Sequence, residues 1–190
     1  MPLYNIEHSF PLSGSQKQDL AERITKLHAH TFTTPSIFVQ VKFYQQDASA
    51  HNHFIGGVYS EASINRIVAY VRASSSRTKE AWDKLAQQIE QAWYIVVGEA
   101  SDDEEGDKKK DDDNGSTETE KKAKELLSVG FLPGMIIREK GYPIPEAGQE
   151  EGWIKQFRKE FEEKATLGDE GFKNMLDEIN ERDDLKAWRA

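Results

Sequence analysis

Residues 36–44 read SIFVQVKFY, and this segment decides how the first half of the chain folds. Its apolar residues alternate with a period of two, which predicts a β-strand. These alternating residues are Ile37, Val39, Val41 and Phe43. Residues 3–6, LYNI, predict an earlier strand at the start of the chain. Because a helix is predicted between the two strands, they form a βαβ unit and should be parallel, with a right-handed crossover.

The helix between these strands is predicted to begin at a capping box. Ser13 is placed to cap the first turn, and Gln16 is placed to bond back to the cap. Apolar residues follow at helical spacing, namely Leu20, Ala21, Ile24 and Leu27. His28 lies in the last turn, on or beside this stripe, where a helix C-terminus favours the protonated imidazole. From position alone, His28 is either a helix-end cap or a site residue.

A second βαβ unit follows about sixty residues later in the same order of elements. Residues 65–72 predict a strand, and the serines at 74–76 predict the start of a helix. One face of that helix is apolar and carries Trp82, Leu85, Ala86, Ile89, Ala92, Trp93 and Val96. Residues 125–132 predict the strand that closes the unit. The sequence therefore predicts an α/β fold, with a four-stranded mixed sheet and two long helices on one face.

The remainder of the chain is predicted to be helical. Residues 133–142 predict a turn leading into a short helical piece, and two amphipathic helices follow, the second capped by Asp169. We expect a domain over residues 1–149 and a helical extension over residues 150–190, packed on that domain.

Composition and charge exclude several classes of protein. The chain has 190 residues and a net charge of −9, which argues against general binding to nucleic acid or anionic membranes. Residues 101–122 contain no apolar side chain and predict a disordered, charged insertion. Without cysteine, disulfides, thiolate metal sites and cysteine nucleophiles are excluded. No membrane-length apolar run or signal peptide is present, so a soluble cytoplasmic protein is expected.

Met1 and Pro2 suggest a chemical role for the start of the chain. Proline is a small second residue, so removal of Met1 is expected, leaving Pro2 with a free secondary amine. An α-amino group titrates near about 7.7–8.0, and an apolar or cationic environment would lower that pKa further. Many proteins begin with Met-Pro for no catalytic reason, so these two residues alone leave both interpretations open.

Several short motifs occur in an order and spacing known from one protein family. They are residues 2–4 (PLY), residues 27–28 (LH), residues 38–43 (FVQVKF) followed by 54–58 (FIGGV), Arg77 eight residues before 85–87 (LAQ), and residues 139–141 (EKG) followed by 145–148 (PEAG) and Trp153. With these motifs the chain resembles the tautomerase superfamily, in particular the cis-3-chloroacrylic acid dehalogenase group and the fungal oxalocrotonate tautomerase-like proteins.

The resemblance implies a role for each matching residue. Pro2 would be the catalytic amine, and Glu139 would orient or deprotonate water. Arg77 and Arg72 would bind the substrate carboxylate, because a guanidinium can grip both of its oxygens. His28 would bind the same carboxylate or the substrate carbonyl. The resemblance further implies a cofactor-free, metal-free enzyme, a small carboxylate substrate and a homotrimer.

Two departures from the family pattern bear on the reaction. Ser74 stands where the first of two paired arginines is expected, and Arg72 lies one strand period earlier on the same face. Ser128 aligns with the family's tyrosine on the last strand. Both departures favour tautomerisation of an enolised 2-oxo acid, with Pro2 as the base.

Two alternatives to this prediction stay open. One is hydration or dehalogenation of a three-carbon unsaturated acid, with Pro2 as acid and Glu139 activating water. The other is a non-catalytic interaction protein that keeps the fold. A serine hydrolase is disfavoured, because the sequence has no G-x-S-x-G motif.

Overall fold

The computed structural model describes residues 1–47, 50–60, 64–72, 74–98 and 117–189. Its strands are β1 (Leu3–His8), β2 (Gln40–Gln45), β3 (Phe54–Ile55), β4 (Val58–Tyr59), β5 (Arg66–Val71), β6 (Ser128–Pro133), β7 (Arg138–Glu139) and β8 (Tyr142–Pro143). Its α-helices are α1 (Gly14–Thr31), α2 (Lys79–Val96), α3 (Glu118–Lys124), α4 (Glu150–Thr166) and α5 (Glu170–Glu181).

The central sheet has four strands in the order β2-β1-β5-β6. Strands β1 and β2 are parallel, β5 and β6 are parallel, and β1 and β5 are antiparallel in the middle of the sheet. Helices α1 and α2 pack against each other, and their buried residues join those of the strands in one core. The predicted α/β fold, with a mixed sheet and two long helices, is confirmed.

The starts of the two long helices differ in how well the sequence predicted them. The Ser13 side chain accepts from the Gln16 N–H while Gln16 bonds back to the cap, so the predicted capping box of α1 is confirmed. The serines at 74–76 do not begin α2. Thr78 is its N-cap instead, because the Thr78 side chain accepts from the Ala81 N–H.

Two segments have a different structure from the one predicted. Residues 36–38 form a 3₁₀ turn after Pro35, with the Phe38 N–H bonded to the Pro35 carbonyl, so β2 begins only at Gln40. Residues 133–142 contain no helical piece, because β7 and β8 form a short antiparallel hairpin. Gly141, with φ of 91°, supplies the left-handed conformation needed in the turn of that hairpin.

The charged segment predicted to be disordered over residues 101–122 falls in two parts. Residues 101–116 lie outside the described residues. Residues 117–122 are ordered, because Thr117 and Glu120 form a capping box and α3 begins at Glu118. The domain boundary predicted between residues 149 and 150 remains a prediction.

The C-terminal helices build a second core that includes the start of the chain. Asp169 caps α5 as predicted, its carboxylate accepting from the Gly171 and Phe172 N–H groups. A 3₁₀ segment, Asp183–Trp188, follows α5 and was not predicted. The second core joins Met1 and Phe38 to Tyr142 and to apolar residues of both helices. Among the described residues, no helix has the length and apolar character needed to cross a membrane.

Candidate functional site

The start of the chain is fixed between two strands at one end of the sheet. Leu3 pairs with Gln40 of β2 on one side and with Tyr70 of β5 on the other. Pro2 directly precedes Leu3, so it lies at the same end of the sheet, between these two strands. The Gln40 N–H donates to the Pro2 carbonyl at 3.0 Å. Both Met1 and Pro2 are buried. A chain terminus held in this way is fixed in space, unlike most termini, which fray.

Two buried arginines share one carboxylate next to this terminus. Arg72 directly follows β5, Arg77 precedes α2, and Glu150 is the first residue of α4. Glu150 Oε1 accepts from Arg72 Nη2 at 2.5 Å and from Arg77 Nη2 at 3.3 Å. Its Oε2 accepts from the Gly148 N–H at 2.6 Å. The structure thus brings Arg72 and Arg77 together, with an anion between their guanidinium groups.

Each arginine has one further contact that fixes its orientation. The Arg72 Nη1 group donates to the Pro145 carbonyl. The Arg77 guanidinium lies 4.4 Å from the centre of the Phe32 ring, a cation–π distance. Phe32 is the residue that ends α1, so the contact ties the start of α2 to the end of α1. Both guanidinium groups are therefore positioned by neighbours other than Glu150.

The electrostatic environment of the terminus is dominated by burial and by these arginines. Burial is the main cause that lowers the pKa of the Met1 amine to about 5, and Arg72 lowers it further. The negative charges of Glu139 and Glu150 act in the opposite direction. Glu139 lies half-buried on β7 and lines a cavity together with Met1. Pro2, Arg72, Arg77 and Glu139, all predicted site residues, are thus neighbours.

His28 lies deeper in the molecule than the other predicted site residues. Its Nδ1 is 2.8 Å from the Tyr4 hydroxyl, and the rings of Phe32 and Trp82 pack against it. Burial is the main cause that lowers the pKa of His28 to about 3, and Arg77 lowers it further. The expected protonated imidazole is therefore wrong, because loss of hydration outweighs the effect of the helix end. The Phe32 ring contacts both this neutral imidazole and the Arg77 guanidinium.

Sequence reasoning missed two members of the site. Tyr4 carried a usable signal, because alternation along β1 puts it on the helix-covered face with Ile6 and His8. Glu150 carried none, because it lies 78 residues from Arg72 and opens a surface helix among other acidic residues. Among the described residues, no group of three or more His, Asp or Glu side chains is arranged to hold a metal ion.

Comparison with known proteins assigns the chain to a family. Residues 1–158 match the family described as "Putative oxalocrotonate tautomerase enzyme". No curated protein matches the sequence. The fold is similar to that of N1, a member of the cis-3-chloroacrylic acid dehalogenase family, with a TM-score of 0.57 and 20% identity over 86% of this chain and 98% of that chain.

Two further solved structures are more distant. A fused 4-OT wild-type symmetric trimer, Q0, has a TM-score of 0.49 and 16% identity over 77% of this chain and 98% of that chain. MIF2 of Leishmania major has a TM-score of 0.49 and 12% identity over 76% of this chain and 97% of that chain. Because the family match spans residues 1–158, the chain belongs to this oxalocrotonate tautomerase family, within the tautomerase superfamily that its motifs resemble.

Proposed function

We propose that the protein is a proline-based tautomerase acting on a small enolised 2-oxo acid. The observation that carries the proposal is the buried start of the chain, which lies near enough to two buried arginines and a half-buried glutamate for their charges to act on its amine. Hydrolysis of the Met1–Pro2 bond would leave the Pro2 nitrogen as a free secondary amine at this place. That amine would take a proton from one position of the substrate and return it at another.

The environment of the terminus suits a base. Burial and Arg72 lower the pKa of the Met1 amine, and we expect the same direction for Pro2, which is also buried. A lowered pKa leaves the amine neutral at pH 7 and able to accept a proton. A positioned general base of this kind typically contributes about 10²–10⁴-fold in rate.

We assign substrate binding to the two arginines and to His28. Glu150 supports the assignment of Arg72 and Arg77, because its carboxylate already lies between their guanidinium groups. A substrate carboxylate would bind the same groups, sharing or replacing this contact. His28 would act through the Tyr4 hydroxyl, to which its Nδ1 is hydrogen-bonded, and the charge of Arg77 acts on both groups.

Glu139 favours a second candidate function. A carboxylate that lines the cavity next to the terminus is placed to activate water for hydration or dehalogenation of an unsaturated three-carbon acid. Pro2 would then have to be cationic and donate a proton. Ser128, which aligns with the family's tyrosine, is exposed on β6. We rank this candidate second, because burial and Arg72 both disfavour a cationic terminus.

We also propose that the protein is a homotrimer. The sheet face opposite α1 and α2 exposes Tyr70 of β5 and Leu132 of β6, which are paired with each other across these neighbouring strands. Exposed apolar side chains that lie together are typical of interaction surfaces. A monomer in size-exclusion chromatography with light scattering, at micromolar concentration, would contradict this proposal.

The proposed reaction is tested by a pH profile of kcat/KM on an enolised 2-oxo acid and on a propiolate-type acid. A base must be neutral, so activity on the 2-oxo acid should rise with pH through an ionisation below the ordinary α-amino range of about 7.7–8.0. An acid must be protonated, so hydration would instead fall as the pH passes the pKa of Pro2. Mass spectrometry must first show that the preparation begins at Pro2.

Two variants separate the candidates in the same assay. Pro2→Ala should lower kcat/KM by at least about 100-fold, whereas Pro11→Ala, which changes an exposed proline, should leave it unchanged. Glu139→Gln should abolish hydration and only reduce tautomerisation. Undiminished turnover in Pro2→Ala would contradict both enzymatic functions. If protein beginning at Pro2 turned over neither acid, a non-catalytic interaction protein would be favoured.

A further inference from the structure

Met1 fills a pocket that continues from the proposed catalytic nitrogen. Its side chain is buried in the second core, with only 7% of the residue exposed. The walls are mainly apolar, and Glu139 and Lys140 add two charged side chains. The apolar and aromatic wall residues include Ile37, Phe38, Tyr142, Ile144, Trp153 and Phe172. A small cavity of about 50 Å³ lies beside Met1 among these residues. Removal of Met1 would therefore enlarge a space that already exists.

Covalent geometry fixes where the vacated space begins. The carbonyl carbon of Met1 is bonded to the Pro2 nitrogen, so hydrolysis of that bond leaves a space in contact with the new amine. One part of this space is occupied by the Met1 amino group before hydrolysis, and the charges of Arg72 and Arg77 act on that group. The other part is occupied by the apolar Met1 side chain. The vacated space thus has a charged end, an apolar end and the amine between them.

The charged end suits an anion. Arg72 and Arg77 already hold the Glu150 carboxylate there, at 2.5 Å and 3.3 Å. A substrate carboxylate in the place of the Met1 amine would lie near the same two guanidinium groups and would share or replace the contact with Glu150. A carboxylate and an apolar group on opposite sides of a carbonyl-bearing carbon describe a 2-oxo acid with an apolar side chain.

The pocket should persist after Met1 is lost. Phe38 belongs to the 3₁₀ turn before β2, Tyr142 to β8 and Trp153 to α4, so its walls come from three separate elements. The Trp153 ring lies 6.1 Å from Phe38 and 6.2 Å from Tyr142, both in edge-to-face contact. Cavities in packed cores collapse only partly, because neighbouring side chains are held by their own contacts.

We propose that the space vacated by Met1 is the substrate pocket and selects 2-oxo acids with an unbranched apolar side chain about as long as that of methionine. The substrate carboxylate would replace the Met1 amino group, and the substrate side chain would replace the Met1 side chain. This proposal rests on the proposed function, since Pro2 must be free. It predicts that three-carbon acids are poor substrates, because they leave the apolar end empty.

Binding of non-reacting straight-chain carboxylates tests the pocket without using activity. Isothermal titration calorimetry would compare propanoate, butanoate, pentanoate and hexanoate on protein shown by mass to begin at Pro2. Each added methylene should tighten Kd roughly fourfold, the value expected for burial of one methylene. Protein that retains Met1 should show no dependence on chain length. The kcat/KM values for 2-oxo acids of matching lengths should follow the same order.

Variants of the wall give a second test. Ile144→Trp fills the apolar end and should remove the preference for longer chains, while Leu167→Trp, at an 87% exposed position outside the pocket, should keep it. Ile37→Phe serves the same purpose if Ile144→Trp fails to fold.

The outcomes separate this proposal from the proposed function. Equal affinity for carboxylates of all chain lengths would overturn the proposal of a substrate pocket, even if the enzyme turned over a 2-oxo acid. Affinity that rises with chain length, without turnover, would support the pocket and contradict the tautomerase. Met1 retained in every preparation would overturn both.

Discussion

Glu150 is the residue on which the charges of the site depend. Its side chain is 2% exposed and those of Arg72 and Arg77 are 4% and 5% exposed, so three charges lie out of contact with water. Such a cluster is stable only if every charge has a partner, because an unpaired buried charge is far more costly than a pair. Here one carboxylate serves two guanidinium groups.

We predict that Glu150→Ala destabilises the protein and that a small carboxylate restores it. Breaking a buried ion pair costs about 3–5 kcal/mol, or roughly 6–20 °C in Tm for a chain of this size. Acetate can occupy the empty place between the guanidinium groups. At a hundred times its Kd it would restore about 2.7 kcal/mol. Differential scanning calorimetry with and without acetate measures both effects.

The neighbouring residue supplies the control. Glu151→Ala removes an exposed surface pair with Lys155, so it should change Tm little and acetate should have no effect on it. If Glu150→Ala does not fold, Glu150→Ser keeps a small acceptor, leaves room for acetate and should show the same rescue. No rescue by acetate in either variant would mean that the arginines do not form an anion site.

At the scale of elements, local signals were predictable and long-range ones were not. The capping box of α1 and the strand predicted at residues 3–6 depend on residues a few positions apart, and both predictions were correct. The helix start predicted at residues 74–76 was wrong. An N-cap needs an extended backbone as well as a side chain that accepts a hydrogen bond, and Thr78 has both. The strand predicted to begin at residue 36 was wrong in its first residues. The alternation of apolar side chains continues through residues 36–38, although Pro35 starts a 3₁₀ turn there.

The difference between local and long-range signals also explains which residues of the candidate site were predicted. Pro2, Arg72, Arg77 and Glu139 were predicted as neighbours because a family resemblance placed them together. The contact of Glu150 with both arginines depends on how α4 packs, and no local pattern reports it. The position of His28 on an apolar stripe was predicted, but its neutral state follows from the tertiary burial around Tyr4.

Asn65 joins two elements at the end of the sheet opposite the candidate site. It is fully buried in the loop before β5. Its Oδ1 accepts from the Ser9 and Phe10 N–H groups after β1, each at 3.1 Å. Its Nδ2 donates to the Ala123 and Glu125 carbonyls before β6, each at 2.9 Å. One side chain thus connects the loops that flank both βαβ units.

We predict that Asn65→Ala lowers stability without changing chemistry. It removes four hydrogen bonds to main-chain groups, worth about 0.5–1.5 kcal/mol each, so a loss of about 2–6 kcal/mol is expected. For a chain of this size that corresponds to roughly 4–24 °C in Tm. Chemical denaturation monitored by circular dichroism measures the loss, and kcat/KM at a temperature well below Tm should stay at the wild-type value.

Asn5→Ala is the matched control for Asn65. The buried Asn5 Oδ1 has no hydrogen-bond partner among the described residues, so losing this amide should cost little or stabilise the protein. If the two variants were equally destabilised, the contacts of Asn65 would not explain its effect.

At the scale of the molecule, the two ends of the chain share one core. Met1 packs with Phe38 and Tyr142 against apolar residues of α4 and α5. Phe172 and Met175 of α5 also line the cavity beside Met1. The C-terminal helices therefore form part of the walls of the proposed substrate pocket, and their attachment should affect binding as well as stability.

Glu178 holds α5 to the segment before β2. Its carboxylate accepts from the Ser36 N–H at 2.9 Å and from the Ser36 hydroxyl at 2.6 Å. It also pairs with Arg182 Nη1 at 2.7 Å, and the same Arg182 group donates to the Thr34 carbonyl. Ser36 directly precedes Ile37 and Phe38, which line the pocket. Glu178 thus links a helix and a turn that both contribute to the walls of the pocket.

We predict that Glu178→Ala loosens this attachment and weakens binding in the pocket. Loss of charge-assisted hydrogen bonds costs about 2–3 kcal/mol, or roughly 4–12 °C in Tm. Because Phe172 and Met175 would no longer be held against Phe38, hexanoate should bind several-fold more weakly while propanoate changes little. Glu181→Ala, at an exposed position of α5, should alter stability by no more than about 0.5 kcal/mol and leave both affinities unchanged. A Glu178→Ala protein with wild-type affinity for hexanoate would show that the pocket walls do not depend on how α5 is attached.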